Sequence, residues 1–425
     1  MVEHWIQGNI YSEAEKEYEY IKGTVEGTPR SPKLLGPSGK LFSKRRPEYE
    51  NYSPRQFVSV KAHGAKGDGV QDDTAAIQKV LDKYAGRRII YFDAGTYYVT
   101  DTIKIPQGSK VLGEVWSNIV GGGEKFADAK NPRPVVQVGR DGDKKPVQLS
   151  NLILSTRAGS AGAIVLEWNV GEPRHQKHMS GMWDVHIRLG GFAGSGIQAG
   201  NCLSTNTSHP VADCTAAYLA MHITKNAAVY MEGGWIWTAD HDLDDPLEQR
   251  INVYAGRGVL VESRNGPVWI VGGGSEHHAI YQYNLVESKN VYLGLIQTES
   301  PYWQPSPEAP NPFSISKKYK DPELTNGSSA WGLSITNSSD VYVYGAGLYS
   351  FFQSYNESCV DNSTCQNSLL NVDSSSKDVY VYSLATVGAT DMLNVDSQTV
   401  ISQADNRNGN PASNVAAWTS EECAL

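Results

Sequence analysis

Two glutamates close two similar phrases in this chain. Residues Gly266–Glu276 read GPVWIVGGGSE and residues Lys289–Glu299 read KNVYLGLIQTE. A shift of 23 lays Val268 on Val291, Ile270 on Leu293 and Glu276 on Glu299. Carboxyl groups held side by side raise each other's pKa, and burial raises it further. One of them then stays protonated near neutral pH and donates to a leaving-group oxygen, while its ionised partner orients a water. Glycoside hydrolysis needs that division of labour. Around the pair lie His277, His278, Tyr281, Gln282, Gln297, Tyr302 and Trp303, residue types that hydrogen-bond and stack on sugars. Gly272-Gly273-Gly274 allows close approach to the backbone. The competing reading is a stacked pair facing solvent, whose charges merely repel. The glycine run, the rings and the histidine pair weigh against it.

A 23-residue echo of alternating β-branched, aromatic and aliphatic residues is strand language. Its length suits a parallel β-helix, in which each coil stacks on the last. Adjacent strands sit about 4.8 Å apart, so residues one coil apart point the same way. The phrase Ser-x-[Asn/Asp]-Val-Tyr recurs at Ser288, Ser338 and Ser376, each time as a turn leading into a strand. Its intervals of 50 and 38 residues imply insertions at Tyr302–Trp331 and Phe352–Leu370, which in a solenoid shape a binding cleft. Upstream, Ile77, Val80, Leu81 and Tyr84 form a helical apolar stripe with N-cap candidates Asp72, Asp73 and Thr74 and a stop at Ala85-Gly86. Such a helix caps the open end of a solenoid. Residues 1–54 read as a linker, with a short charged helical piece at Glu13–Tyr20 and a Pro/Gly/Lys-rich stretch from Gly23 to Pro47; residues 55–425 read as one β-helix domain. The tail after Asp405 reads as loop.

The bulk composition narrows the partners. The 425 residues carry a net charge of −9, which argues against nucleic acid or an anionic membrane. It also fits poorly with a polyanionic substrate such as pectate. The 23 Tyr and 10 Trp, against 8 Phe, suit carbohydrate, whose C–H faces stack on rings. No run of 18 apolar residues spans a membrane, and the first residues have no apolar leader. Cys202 and Cys214, and Cys359 and Cys365, have spacings that suit local disulfides, with Cys423 left over. Asn51, Asn206, Asn326, Asn337, Asn356 and Asn362 lie in N-x-[ST] sequons. Together these point to a secreted glycoprotein despite the missing leader. Trp235 and Trp237 are further candidate cleft rings, followed by Asp240, Asp242, Asp244 and Asp245. That acidic run lacks the Gly and distal Glu of a calcium loop, so a solvated turn is the better reading. No Cys/His cluster has zinc spacing, and no metal or cofactor is expected.

The segment A-x-G-D-G-x-x-D-D-T-x-A-I-Q from Ala65, followed by F-x-A-G-T-Y from Phe92, resembles the entry to right-handed, single-stranded parallel β-helices of the pectate-lyase superfamily. It marks a fold and not a reaction. Three further stretches, KRRPEYENY (Lys44–Tyr52), LEWNV (Leu166–Val170) and GMWDVHIRLGG (Gly181–Gly191), resemble exo-β-1,3-glucanases of glycoside hydrolase family 55. So does the long run from Gly266 to Pro305, and the likeness extends from about Trp5 to Glu421. It implies inverting release of glucose from the non-reducing end of laminarin-type glucan, with Glu299 as general acid and Glu276 helping to hold the water. The general base stays open. The resemblance also implies sugar contacts at Tyr281, Gln282 and Trp303. Family members carry two tandem β-helices, and this chain corresponds to the linker and the second, so part of the site would lie on a separate or missing module. Two alternatives remain: a pectin-active lyase or hydrolase on the same fold, and a glucan-binding β-helix without catalysis.

Overall fold

The structure, a computed structural model, describes residues 5–421 apart from 14–17, 26, 174–178, 206–210, 325–327 and 409–411. Cys423 and the sequons at Asn206 and Asn326 fall outside the described residues. The chain is a right-handed parallel β-helix in its strand pattern, and it divides into two compact units. One unit joins residues 1–43 to 261–425, and the other holds residues 44–260. The first 43 residues thus join a unit instead of standing apart as linker, and the stretch read as one β-helix domain is shared between both.

In the unit of residues 1–43 and 261–425, parallel ladders stack each coil on the next. Val268–Val271 pairs with Lys289–Glu299, which pairs in turn with Ser339–Tyr349 and Lys377–Val387. On another face Tyr281–Val286 pairs with Trp331–Thr336 and then Leu370–Val372. Period-two alternation sends every second side chain inward. Val268, Val291, Val341 and Val379 form one buried column, and Ile270, Leu293, Val343 and Val381 another. Stacks of this kind give the solenoid its core, because no single coil can bury its own apolar face.

Corners come from single residues in the left-handed region. Asn290, Asp340 and Asp378 share one corner, with φ of 58°, 55° and 52°. These are the Asn/Asp of the recurring phrase, and short polar side chains tolerate that conformation better than most. The Ser of the phrase ties coil to coil: the amide of Ser288 donates to Ser338 Oγ, and the amide of Ser338 to Ser376 Oγ, both at 3.1 Å. All three serines are buried. Hence the phrase is a stacking device at a corner. A second corner runs through Leu295, Gly345 and Ser383.

The Tyr of the phrase points outward. Trp269, Tyr292, Tyr342 and Tyr380 occupy one register column. The rings of Tyr342 and Tyr380 stack at 5.3 Å. Residues 29–42, expected as linker, lie along this column. Ser31 N donates to Tyr342 Oη at 3.0 Å, Tyr342 Oη to Pro29 O at 3.1 Å, and Trp269 Nε1 to Leu34 O at 3.3 Å. The Phe42 ring sits 5.0 Å from Trp269. Aromatic faces on the outside of the coils would otherwise be left in water. Ahead of this strap, Trp5–Ser12 and Glu19–Thr24 form an antiparallel pair. Glu19 and Tyr20 are therefore strand and not helix. Ser413–Thr419 pairs antiparallel with Lys377–Val387 and covers its edge.

In the unit of residues 44–260 the entry motif explains itself. Asp68 accepts from the amides of Val70 and Gln71, Asp72 from Thr74 and Thr100, and Asp73 from the amides of Lys66 and Gly67. The helix Thr74–Tyr84 follows, with Ile77, Val80 and Leu81 buried as the stripe requires. Disulfide Cys202–Cys214 closes in this unit and Cys359–Cys365 in the other.

Two leucines on one strand test the inward–outward assignment. Leu293 is fully buried and Leu295 is 73% exposed. Leu293→Ala should lower the unfolding free energy by about 2–5 kcal/mol. Leu295→Ala should change it by about 0.5 kcal/mol or less. Denaturant melts of the two variants measure the contrast, and equal losses would refute it.

Candidate active site

The strand Lys289–Glu299 turns inward at Ile296 and Thr298, which are buried, and outward at Gln297 and Glu299. Parallel pairing sets Glu276 beside Glu299 and Gly274 beside Gln297. On the other side of the strand, Tyr349 adjoins Glu299 and Gly347 adjoins Gln297. The 23-residue echo thus becomes a physical neighbourhood. Both glutamates sit on the same face of the same ladder, one rung apart.

The two carboxyl groups are held differently. Gln297 Nε2 donates to Glu276 Oε1 at 2.6 Å, and Glu276 is 6% exposed. A carboxylate that accepts such a bond is favoured in its ionised form. Its charge reaches Tyr283, whose phenol is pushed well above its ordinary range, first by burial and then by Glu276. Glu299 is looser. Its Oε1 is buried with no hydrogen-bond partner, and its Oε2 lies 3.6 Å from His277 Nε2. The Glu299 side chain is 13% exposed. One carboxyl is therefore pinned as an acceptor, and the other keeps an oxygen uncommitted.

His277 has φ of +65°. This bend lets its amide donate to Glu299 O at 2.8 Å. Its ring meets Tyr302 edge to face at 4.9 Å, and Tyr302 packs on Phe352 at 4.0 Å. Tyr355 N donates to Tyr302 O at 2.8 Å. The two insertions expected from the coil intervals therefore meet beside the glutamates.

Other sequence candidates stand behind the site. His278, Tyr281 and Gln282 have no exposed surface, so they cannot touch a sugar as placed. His278 and Gln282 bond reciprocally: the His278 amide and Nδ1 both meet Gln282 Oε1 at 2.9 Å, and Gln282 Nε2 donates to His278 O at 2.9 Å. Since an amide oxygen only accepts, Nδ1 carries the proton. Burial pushes the His278 pKa down to about 3. Trp303 is mostly buried. Gln304 clamps the insertion, donating to Ala279 O and accepting from Ala330 N, both at 2.8 Å. Tyr302 is partly exposed and Gln297 is exposed.

Trp235 and Trp237 belong to the unit of residues 44–260. Their rings stack at 4.7 Å, with Trp235 41% exposed and Trp237 buried. Carboxylates of the neighbouring acidic run hold a second segment of the same unit: Asp242 accepts from the amide of Ala199 and Asp244 from that of Ala193. Among the described residues, no group of three His, Cys, Asp or Glu is placed to hold a metal ion. No helix among them is long and apolar enough to cross a membrane. Residues missed by the sequence reading are Tyr349, Phe352 and Tyr355. Extending the echo by one more coil would have found Tyr349, but the coil length changes there.

The chain is similar in sequence to several known proteins. Residues 57–131 match the family described as "Rhamnogalacturonase A/epimerase, pectate lyase-like". The chain is 45% identical over 381 residues to a "Probable glucan endo-1,3-beta-glucosidase" of Arthroderma benhamiae, covering 88% of this chain and 43% of the relative. It is 38% identical over 414 residues to the "Glucan 1,3-beta-glucosidase" of Cochliobolus carbonum, covering 95% of this chain and 51% of the relative. The solved structure of sacteLam55A from Streptomyces sp. SirexAA-E aligns with a TM-score of 0.46 at 15% identity, over 85% of this chain and 54% of that one. The chain spans about half the length of the curated relatives it matches.

Buried neutral His278 gives a pH test of the brace. Its folded pKa of about 3 lies below the ordinary 6.5, so the unfolded chain takes up the proton first. The stability it contributes is full above about pH 6.5 and is lost as pH falls toward 3. Across that window the slope from this group approaches about 1.4 kcal/mol per pH unit. His278→Asn, which keeps a donor for Gln282, should flatten that part of the stability profile. An unchanged slope between pH 6.5 and 4.5 would refute the assignment.

Proposed function

We propose that this chain, a homologue of fungal proteins named as β-1,3-glucan glucosidases, carries the catalytic carboxyls of a family 55 glycoside hydrolase. The reaction is hydrolysis of laminarin-type β-1,3-glucan, exo-acting and inverting. Glu299 is the general acid and Glu276 helps to hold the nucleophilic water. The observation that carries this reading is the pairing of Glu276 with Glu299 on adjacent rungs of one face, with unequal support. Glu276 is bonded to Gln297 as an acceptor. Glu299 keeps a buried oxygen with no hydrogen-bond partner, which leaves it able to meet a leaving-group oxygen.

The bond-breaking step follows from these roles. Glu299 gives its proton to the glycosidic oxygen as the C–O bond breaks. Water held by Glu276 attacks the anomeric carbon from the opposite face and loses its own proton to a base. Tyr302, whose ring meets His277, and Gln297 are the groups we assign to sugar contact. On the same resemblance a first β-helix, as a partner or a further part of the protein, completes the water-holding side. The two disulfides suit an oxidising compartment, and exposed sequon residues Asn51, Asn337, Asn356 and Asn362 suit secretion.

Laminarin hydrolysis by the purified chain, with and without an added first-helix module of a relative, tests the proposal. Glu299→Gln should lower glucose release by about 10²–10⁴-fold with the circular-dichroism spectrum unchanged. Glucose as the first product, appearing as the α-anomer, supports the exo and inverting parts. Early oligosaccharides would overturn exo action, and a first β-anomer would overturn inversion. Wild-type turnover by Glu299→Gln would remove the acid assignment. Binding of laminarin without release under any condition would favour a glucan-binding protein.

A further inference from the structure

We propose that Asn337 carries an N-linked glycan whose first two N-acetylglucosamine residues lie in the groove beside it; this rests on passage of the chain through a secretory compartment, and not on the hydrolase reading. Asn337-Ser338-Ser339 is an N-x-[ST] sequon. Asn337 is exposed and stands at a corner, with φ of 46°. Its amide donates to both carboxylate oxygens of Asp373, at 2.9 and 3.1 Å. The backbone is thus pinned at the corner, and the side chain stays on the surface. Glu287, with φ of 51°, follows the paired residues Val286 and Thr336 and so takes the matching corner one coil earlier. Matching positions on adjacent coils sit about 4.8 Å apart.

Asn337 adds to its exposure a groove that it helps to line. The groove holds about 510 Å³, within the range of about 300–1,000 Å³ that suits small ligands. Its other lining groups include Glu287, Lys320, Asp321, Ser334, Asn371 and Asp373. Lys320 and Asp321 come from the first insertion and are tied down. Asn284 Nδ2 donates to Lys320 O at 3.0 Å, Lys320 Nζ to Glu287 Oε1 at 3.0 Å, and Ser316 N to Asp321 Oδ2 at 2.6 Å. Ser334 and Asn371 lie side by side in register on two coils. Asn371 Oδ1 accepts from Ser397 N at 2.9 Å, which leaves Nδ2 to donate. Ser334 is 1% exposed and its Oγ has no hydrogen-bond partner. A buried hydroxyl in that state is costly unless a ligand bonds it.

This lining suits a neutral sugar with an acetamido group. Hydroxyls and the acetamido N–H donate to carboxylates, and the acetamido carbonyl accepts from an amide such as Asn371 Nδ2. Hydrogen bonds from Lys320 and then Arg264 hold the Glu287 carboxyl below its ordinary pKa, so it remains an acceptor. The co-reactant for attachment is an oligosaccharide linked to a lipid diphosphate. Asn337 Nδ2 bonds to C1 of the first sugar. The bond from C1 to the diphosphate oxygen breaks, its electron pair leaves with that oxygen, and one Nδ2 proton passes to a base. Ser339, which completes the sequon, is half-buried at the head of the strand Ser339–Tyr349, so transfer precedes closure of this coil. The tethered sugars then enter the groove at high effective concentration.

The full chain, secreted from a fungal host, provides the test. Mass spectrometry of proteolytic peptides should find a glycan on Asn337, absent in Asn337→Gln. An unmodified Asn337 peptide in the secreted chain would overturn the proposal. Endoglycosidase H cuts between the first two sugars, so a seated core resists it. Release from Asn337 should be at least about tenfold slower in the native chain than after denaturation, since cleavage then waits on local opening. Native and denatured rates within about twofold would overturn the seating. Asn371→Ala, which leaves the sequon intact, should raise the native rate by about threefold or more. Protection unchanged in that variant would place the sugars elsewhere and overturn the groove. None of these readouts uses glucan hydrolysis, so an inactive chain leaves them intact.

Discussion

Register between coils is the constraint on which everything else in the site-bearing unit depends. Parallel hydrogen bonding holds each coil about 4.8 Å from the next. A side chain's nearest outward neighbour is therefore the residue at the matching position one coil away, whatever their distance in sequence. A slip by one residue would exchange inward and outward positions along a whole strand. Three features oppose such a slip: the buried columns of Val and Leu, the left-handed corners at Asn290, Asp340 and Asp378, and the serine ladder through Ser288, Ser338 and Ser376. Glu276 faces the same way as Glu299 because all three agree.

With the register fixed, the site divides into groups that face the surface and groups that hold them. Gln297 steadies Glu276, and His277 approaches Glu299. Behind them, His278 and Gln282 bond to each other, and Gln304 bonds to the local backbone. Glu299 Oε1 and His278 Nε2 are both buried with no hydrogen-bond partner. Tyr302 then links the histidine to the rings of the second insertion.

Much of this was legible in the sequence because it follows periodic rules. The echo gave the pairing of Val268 with Val291 and Glu276 with Glu299 directly. The apolar stripe marked the helix from Thr74, and short cysteine spacings marked both disulfides. The recurring serine phrase marked corners, although its hydrogen-bonding role needed neighbouring coils to be seen. Hidden features were those that depend on burial. His278, Tyr281 and Gln282 carry the same residue types as a sugar site, and nothing local says that they lie inside. Residues 29–42 read as linker because proline, glycine and lysine lack a period, yet the outward tyrosines give them a surface to cover.

By itself, then, the sequence determined the coil repeat, the inward columns and the adjacency of two carboxyls, since hydrophobic alternation and repeat length are local properties. Tertiary structure decided which polar groups face outward and which are sealed, where Tyr349, Phe352 and Tyr355 fall, and that His277 turns toward Glu299. Those outcomes depend on insertions of unequal length folding over particular rungs. Their packing arises from contacts between residues that no periodic pattern connects.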